Sequence, residues 1–326
     1  MTHDKNQFAY DARHIVIADG EEILAYDGES EAPLWRHAGP EPIDFVALGE
    51  GLVLALGRQG SLHRFTRDGQ ARGTEALDGE ARGLTAAAAL TSKALHWLSP
   101  TGSLRGTAAV AGGQCLAAGG GFAAVGTDSG ELWVFRDGAD SPTSKAACGG
   151  AIHSVAWHPQ RFWLVAVGTK VFRVDEAGAV SHFTSAGEHR PRFLCCSADG
   201  KHIGLALDDT TALVMEYPSK DTAGNATYGD RVITGLALGP SPWFGVGLDK
   251  GDGNKFNLET GATHRTDTHP GRPHNRWILM AGFGKPQPEQ EKAPPAAMAP
   301  PASASRAPLY FVGAVVVAVV LFFILR

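Results

Sequence analysis

The chain has 326 residues, with 29 Lys and Arg against 34 Asp and Glu, a formal net charge of −5 at pH 7. Hydrophobic residues make up 44% and charged residues 19%, which excludes a disordered chain and allows a self-sufficient core. No basic stretch stands out from this acidic balance, so a nucleic-acid partner is not expected.

The 41 glycines follow no collagen-like period and must serve turns, which points to many short strands. Cys115, Cys148, Cys195 and Cys196 form no Cys-x-x-Cys pair and no disulfide framework. They read as small buried hydrophobes in a reducing compartment.

Met1, Thr2, His3, Asp4, Lys5, Asn6 and Gln7 lead into no hydrophobic segment, so no secretory signal is expected. From there one pattern recurs seven times: an apolar run, a turn rich in Gly, Asp, Thr or Ser, and a second strand. Residues 15–20 lead into 22–28, 52–57 into 61–69, and a degenerate 84–90 into 94–102. Residues 122–126 lead into 131–138, 163–168 into 170–175, 203–207 into 212–217, and 243–248 into 254–261. Ile23, Leu62, Leu95, Leu132, Val171, Leu213 and Lys255 mark equivalent positions. Their spacing of roughly 40 residues matches the four-stranded blade of a β-propeller.

Each blade also needs an innermost strand. Residues 43–48, 83–87, 115–118, 152–157, 192–196 and 233–238 supply six of them. Only a short segment precedes the first hairpin, so its inner strand is expected from the other end, at residues 275–281. The expected fold is all-β: a seven-bladed propeller over residues 1–284, closed by N- and C-terminal strands, plus a C-terminal transmembrane helix.

Two stretches carry a family resemblance. Ile152-His-Ser-Val-Ala-Trp-His-Pro159 resembles the inner strand and following turn of a WD40 repeat. The stretch from Phe193 to Thr211 contains Ser-Ala-Asp-Gly and then Asp208-Asp209, and is similar to the next part of such a repeat. No blade ends in Trp-Asp, and Phe135, Val174 and Tyr217 lie near that place. The resemblance implies a WD40-like scaffold that binds partners through its top face and centre. Asp128, Asp208, Asp209 and Asp249, all in hairpin turns, are the candidate partner-binding residues on that ground.

Little in the chain speaks for catalysis. There is no Gly-x-Ser-x-Gly elbow, no phosphate-binding loop and no His-Glu-x-x-His, so no catalytic residue is assigned. His264, His269 and His274 recur every five residues, which fits neither a helix nor a strand face and reads as a loop rather than a zinc site. The run from Asp249 to Asn254 is rich in hard oxygens but lacks the distal Glu of a calcium loop, and reads as a hairpin turn. No metal or other cofactor is expected.

Composition changes near residue 285. Pro286, Pro288, Pro294, Pro295, Pro300, Pro301 and Pro308 are interleaved with Ala, Ser, Gln and Glu, so residues 285–308 read as an extended linker reaching roughly 70 Å. From Leu309 to Leu325 there is no charge, and Arg326 follows. Residues 309–326 therefore read as a membrane-spanning tail anchor.

The expected product is a single-pass membrane protein with its head in the cytoplasm, the Ala- and Gly-rich usage favouring a bacterial inner membrane. Its expected role is a non-catalytic scaffold for a membrane-associated protein partner. Two alternatives stay open. The layout resembles tail-anchored propeller exchange factors, which would make it a regulator of a small GTPase. The other alternative is a propeller enzyme.

Overall fold

The structure, a computed structural model, describes residues 5–266 apart from Ala12, residues 28–31, Asp230, Pro240 and Ser241. The side chains of Lys250, His264, Arg265 and Thr266 also lie outside the description. The chain divides into two units, Met1–Lys285 and Pro286–Arg326. The second unit, with the expected linker and tail anchor, falls outside the described residues. Among the described residues no helix is long and apolar enough to cross a membrane.

The described residues of the first unit form seven four-stranded antiparallel sheets, each built from consecutive strands. They span residues 8–38, 43–76, 81–109, 113–147, 152–185, 191–227 and 233–266, taken below as blades one to seven. Each blade packs against the next, and blade one packs against blade seven. The result is a seven-bladed β-propeller.

The apolar runs follow from this arrangement. Both faces of each sheet are covered by neighbours, so successive side chains of one strand enter two different cores. Val16 and Ala18 join Ile43, Val46 and Val53 between blades one and two. Ile15 and Ile17 join Phe8, Tyr10 and Leu24 on the side of blade seven. There are seven such cores, one at each interface between blades.

Bulky residues of one blade fit against glycines of its neighbour. Trp157 of blade five lies over Gly119, where an added Cβ would come within 2.1 Å of its ring. Only glycine permits this approach.

The closure of the ring differs from the sequence expectation. Blade one takes its inner strand from Phe8–Tyr10, which pairs with the second strand in the register Phe8↔Ile17, Ala9↔Val16 and Tyr10↔Ile15. The blade thus has four strands of its own, and closure by a strand shared between the two termini is corrected. Residues 275–281 lie outside the described residues.

The ring closes by packing and backbone bonds instead. Gln7 N donates to Thr234 O of blade seven, and Val46 N of blade two donates to Asn6 O at 3.0 Å. Phe8 fills a recess left by Gly235, Gly245 and Gly247 of blade seven.

Blade three carries a smaller difference. Its inner strand is Ala81–Leu84 rather than 83–87. Thr85 Oγ1 accepts from the amides of Ala87 and Ala88 and turns the chain there.

Candidate functional site at the propeller axis

Antiparallel strands alternate in direction. The turns between second and third strands therefore share one face of the propeller with the loops that join blades. Backbone bonds stitch these segments together. Arg58 N donates to Pro42 O at the start of its own blade, and Ala81 N of the next blade donates to Arg58 O. Asp208 N likewise donates to Arg190 O, while Ile233 N donates to Asp209 O. The exposed turns of this face are thus held on a rigid frame, where binding residues tend to concentrate.

At the axis, the inner strands share an irregularity. In six blades the pairing register skips one residue near the strand start. The bypassed residues are Asp44, Arg82, Gln114, His153, Arg192 and Thr234. A bulge of this kind leaves a residue out of the ladder and re-aims its side chain. Every bypassed residue is polar. Asn6, just before Gln7 at the start of blade one, completes the set.

Asn6, Arg82, His153 and Arg192 line a small axial cavity of about 80 Å³, together with Phe45, Leu116, Phe193 and Leu236. Among the described residues the ionisable side chains in its wall are Arg82, His153, Arg192 and Cys115. Both arginines are held from outside the cavity. Arg82 Nη2 donates to Glu80 Oε2 at 2.8 Å, and Arg192 donates to Asp209. The two arginine side chains are mostly covered, at 16% and 18% exposure, whereas those of Glu80 and Asp209 are 68% and 63% exposed. The neighbouring Asp44 is buried and neutralised by Lys5 at 2.7 Å and by Arg58.

All four aspartates expected from the sequence sit in turns of this face. Asp128 is exposed, and its carboxylate lies against Gly112. Asp208 adopts φ 51° and accepts from Arg190 N at 2.8 Å and from His189. Those two donors hold its carboxyl below the usual carboxylate range. Asp209 accepts from the guanidinium of Arg192, a residue of the cavity wall. Asp249 accepts from Arg231 Nε at 2.7 Å and from Val232 N at 3.1 Å.

The oxygen-rich run from Asp249 to Asn254 is occupied by an internal cation. Arg231 Nη1 donates to Asp252 Oδ2 at 2.8 Å while its Nε holds Asp249. The guanidinium stands where a metal ion would. Among the described residues no group of three or more His, Cys, Asp or Glu is arranged to hold a metal. Of the three recurring histidines, only the backbone of His264, in the outer strand of blade seven, is described.

Thiol chemistry is also suppressed. Burial pushes the Cys148 thiol up to about 11 and the Cys195 thiol up to about 12, so both stay protonated at neutral pH.

The opposite face carries a wider, apolar bowl of about 600 Å³ beside Tyr10, Gly51, Ala198 and Leu238. Asp11, Arg13, His14 and Arg67 also line it, and Asp11 bonds Arg67 at 2.8 Å and lies 3.5 Å from His14. Burial raises the Asp11 carboxyl, but the amides of Arg13 and His14 and the Arg67 charge outweigh it and hold the group low.

Sequence reasoning identified the turns and missed the axial set. The signal lies in the residue that follows the first position of the inner strand in six blades: Ile43-Asp44, Ala81-Arg82, Gly113-Gln114, Ile152-His153, Pro191-Arg192 and Ile233-Thr234.

No family model matches the chain, and no curated protein matches it. Solved structures do. A chain of the crystal structure of the mitotic checkpoint complex, a WD40 propeller protein, superposes with a TM-score of 0.62 at 15% identity. That match covers 75% of this chain and 87% of the other. The computationally designed Ika8 protein superposes with a TM-score of 0.60 at 14% identity, over 82% of this chain and 88% of its own. At these identities the likeness establishes the propeller fold.

Proposed function

We propose that the chain is a membrane-tethered, non-catalytic scaffold that presents one face of a propeller to a protein partner. The observation that carries this reading is the cross-bonded ring of exposed turns surrounding a polar axial mouth. Such a frame offers many side chains at low ordering cost. The propeller fold is typical of interaction scaffolds. The tether rests on the uncharged run 309–325 behind the Pro-rich stretch 285–308. With the head on the cytoplasmic side, such a tether raises the local concentration of the propeller for membrane-bound partners.

The test compares the full chain with one lacking residues 309–325, each carrying a proximity-labelling tag. The full chain should fractionate with membranes after a carbonate wash and label a reproducible set of membrane proteins. The shortened chain should become soluble and lose that set. A full chain that stays soluble overturns the tether, and labelling no different from an unrelated tagged propeller overturns the scaffold.

A further inference from the structure

We infer that the cleft between blades three and four, on the face opposite the cross-bonded turns, receives one tryptophan side chain from an extended segment of a protein partner. This goes beyond the scaffold reading, which concerns the other face. The ring of blades itself shows what the cleft lacks. Counted from the bypassed residue, Trp157 of blade five and Ala118 of blade four occupy the same rung of the inner ladder, opposite Trp163 and Ala123. Each packs toward the preceding blade. The same rung holds Leu48, Cys196 and Leu238 in blades two, six and seven. Trp157 covers the turn of blade four, where an added Cβ at Gly119 or Gly120 would come within 2.1 or 2.5 Å of its ring. Ala118 offers only a methyl to the turn of blade three, and a cavity of about 250 Å³ stands in that place. Trp97 and Phe122 line it with Ala86, Ala87 and Ala118.

Size and polarity name the ring. An apolar space of roughly 150 Å³ takes benzene, so this larger one accommodates indole. It lies below the range of roughly 300–1,000 Å³ used by small-molecule sites, which favours a single side chain. A covered indole N–H needs an acceptor. The protein's own indoles find theirs in the turn before the outer strand of the next blade: Trp35 Nε1 donates to Arg67 O and Trp97 Nε1 to Ala139 O. Asp137 belongs to that same turn of blade four, lines the cleft, and is 47% exposed beside Arg105. Its carboxylate supplies the acceptor for an incoming indole.

The rim admits a main chain. The turns on its two sides are Thr85-Ala86-Ala87 and Gly119-Gly120-Gly121, which put little side chain over the opening. Gly121 has φ 82°, and an added Cβ there would meet nothing within 4 Å. A peptide backbone can therefore lie across the turns and deliver one ring between the blades. A tryptophan seated in a closed pocket with a wet rim is the kind of contact that dominates a protein interface.

The experiment uses the full chain in neutral detergent, with protein-free micelles as the blank. The probe is a short Gly/Ser peptide with a central fluorinated tryptophan, followed by fluorine NMR. Its signal should shift saturably. An unlabelled tryptophan peptide should displace it, a phenylalanine peptide should do so about tenfold less well for want of the N–H, and an alanine peptide should not. Ala118→Trp gives blade four the residue of blade five and should abolish binding, with a thermal midpoint no lower than that of the parent. Should that variant not fold, Ala86→Leu, at an exposed rim position, should still weaken binding about tenfold by obstructing entry. Ala76→Trp, exposed on blade two, should change nothing. Absence of a saturable shift, unchanged affinity in folded Ala118→Trp or in Ala86→Leu, or free indole binding as tightly as the peptide overturns the inference. Trp277→Ala should bind as the parent does; a gain in affinity would mean that the chain's own Trp277 fills the cleft, and it too overturns the inference. The scaffold reading is judged on its labelled partner set, so the two can fail separately.

Discussion

The amide of Gln7 donates to the carbonyl of Thr234 across 2.9 Å, joining the first blade of the ring to the last. This bond begins a short suture. Ala18 N donates to Gln7 O within blade one, Gln7 Nε2 donates to Ile43 O of blade two, and Lys5 pairs with Asp44. With Asn6, whose carbonyl accepts from Val46 N, Lys5 and Gln7 therefore tie blades seven, one and two together, and the adjoining Phe8 seals the seam.

Phe8 is 1% exposed and sits against Gly247, where an added Cβ would lie 2.4 Å from its own Cβ. Phe8→Ala should cost about 3–5 kcal/mol through lost burial and an unfilled recess. Gly245→Val, whose Cβ would lie 2.8 Å from Phe8 Cε1, should cost about 1–3 kcal/mol by overpacking, and combining it with Phe8→Ala, which removes that ring, should recover part of the loss. Urea unfolding of the four variants measures this cycle. Full additivity would mean that the two residues do not share the seam.

Stability should fall in mild acid because of two equivalent buried histidines. His63 and His96 occupy the third strands of blades two and three. His63 Nδ1 meets Thr74 Oγ1 at 3.1 Å, His96 Nε2 meets Thr91 Oγ1 at 3.3 Å, and the remaining ring nitrogens, His63 Nε2 and His96 Nδ1, have no partner. Burial lowers both pKa values from 6.5. The unfolded chain thus binds protons that the folded one refuses, so stability is complete above about pH 6.5 and is lost as pH falls below it. Urea midpoints between pH 8 and pH 5 should show this decline, and a His63→Gln, His96→Gln double variant should lessen it, leaving the part due to His158, whose pKa burial also lowers. A flat profile in the parent chain would sink the prediction.

Much of the fold could be read from the chain because its punctuation is regular. Turns such as those at Gly69, Gly102 and Gly138, all with positive φ, end third strands at steady intervals. The apolar runs between them are continuous because both sheet faces are buried. Phe8–Tyr10 escaped notice because three residues show no measurable period. In blade three, Thr85, Ala86 and Ala87 interrupt the apolar run without a glycine or proline, so the strand boundary blurred. The axial set was hidden for a different reason. A polar residue after the first position of a strand looks like ordinary alternation, and only the skipped register reveals that Arg82 and His153 leave the ladder.

Glu41 organises the outer turn of blade two from the preceding loop. Its carboxylate is buried and accepts from Gln59 N at 2.5 Å and Ser61 N at 3.2 Å. A Cβ at Gly57 would intrude to 2.3 Å from Oε1, so glycine makes room for the acid. Glu41→Ala should leave two amides without an acceptor, at a cost of about 1–3 kcal/mol. Hydrogen exchange should speed up at Gln59 and Ser61 while the inner strand at Val46 stays protected. Unchanged protection at Gln59 would refute this role.

Arg231 holds blade seven in a corresponding way, with a cation in place of an anion. It is 13% exposed and bridges Asp249 and Asp252, themselves 30% and 11% exposed. Removing the guanidinium leaves two carboxylates facing one space, so Arg231→Ala should cost about 2–4 kcal/mol. The emptied space retains hard oxygen donors, including the Asp249 carbonyl that Arg231 also engages. Millimolar calcium should therefore restore part of the lost stability in the variant and leave the parent chain unaffected, because the parent already holds its charge. Thermal unfolding with and without calcium makes the comparison, and magnesium serves as the control because it demands a tighter octahedral shell. Equal calcium responses in both proteins would show that the guanidinium does not occupy a cation's place.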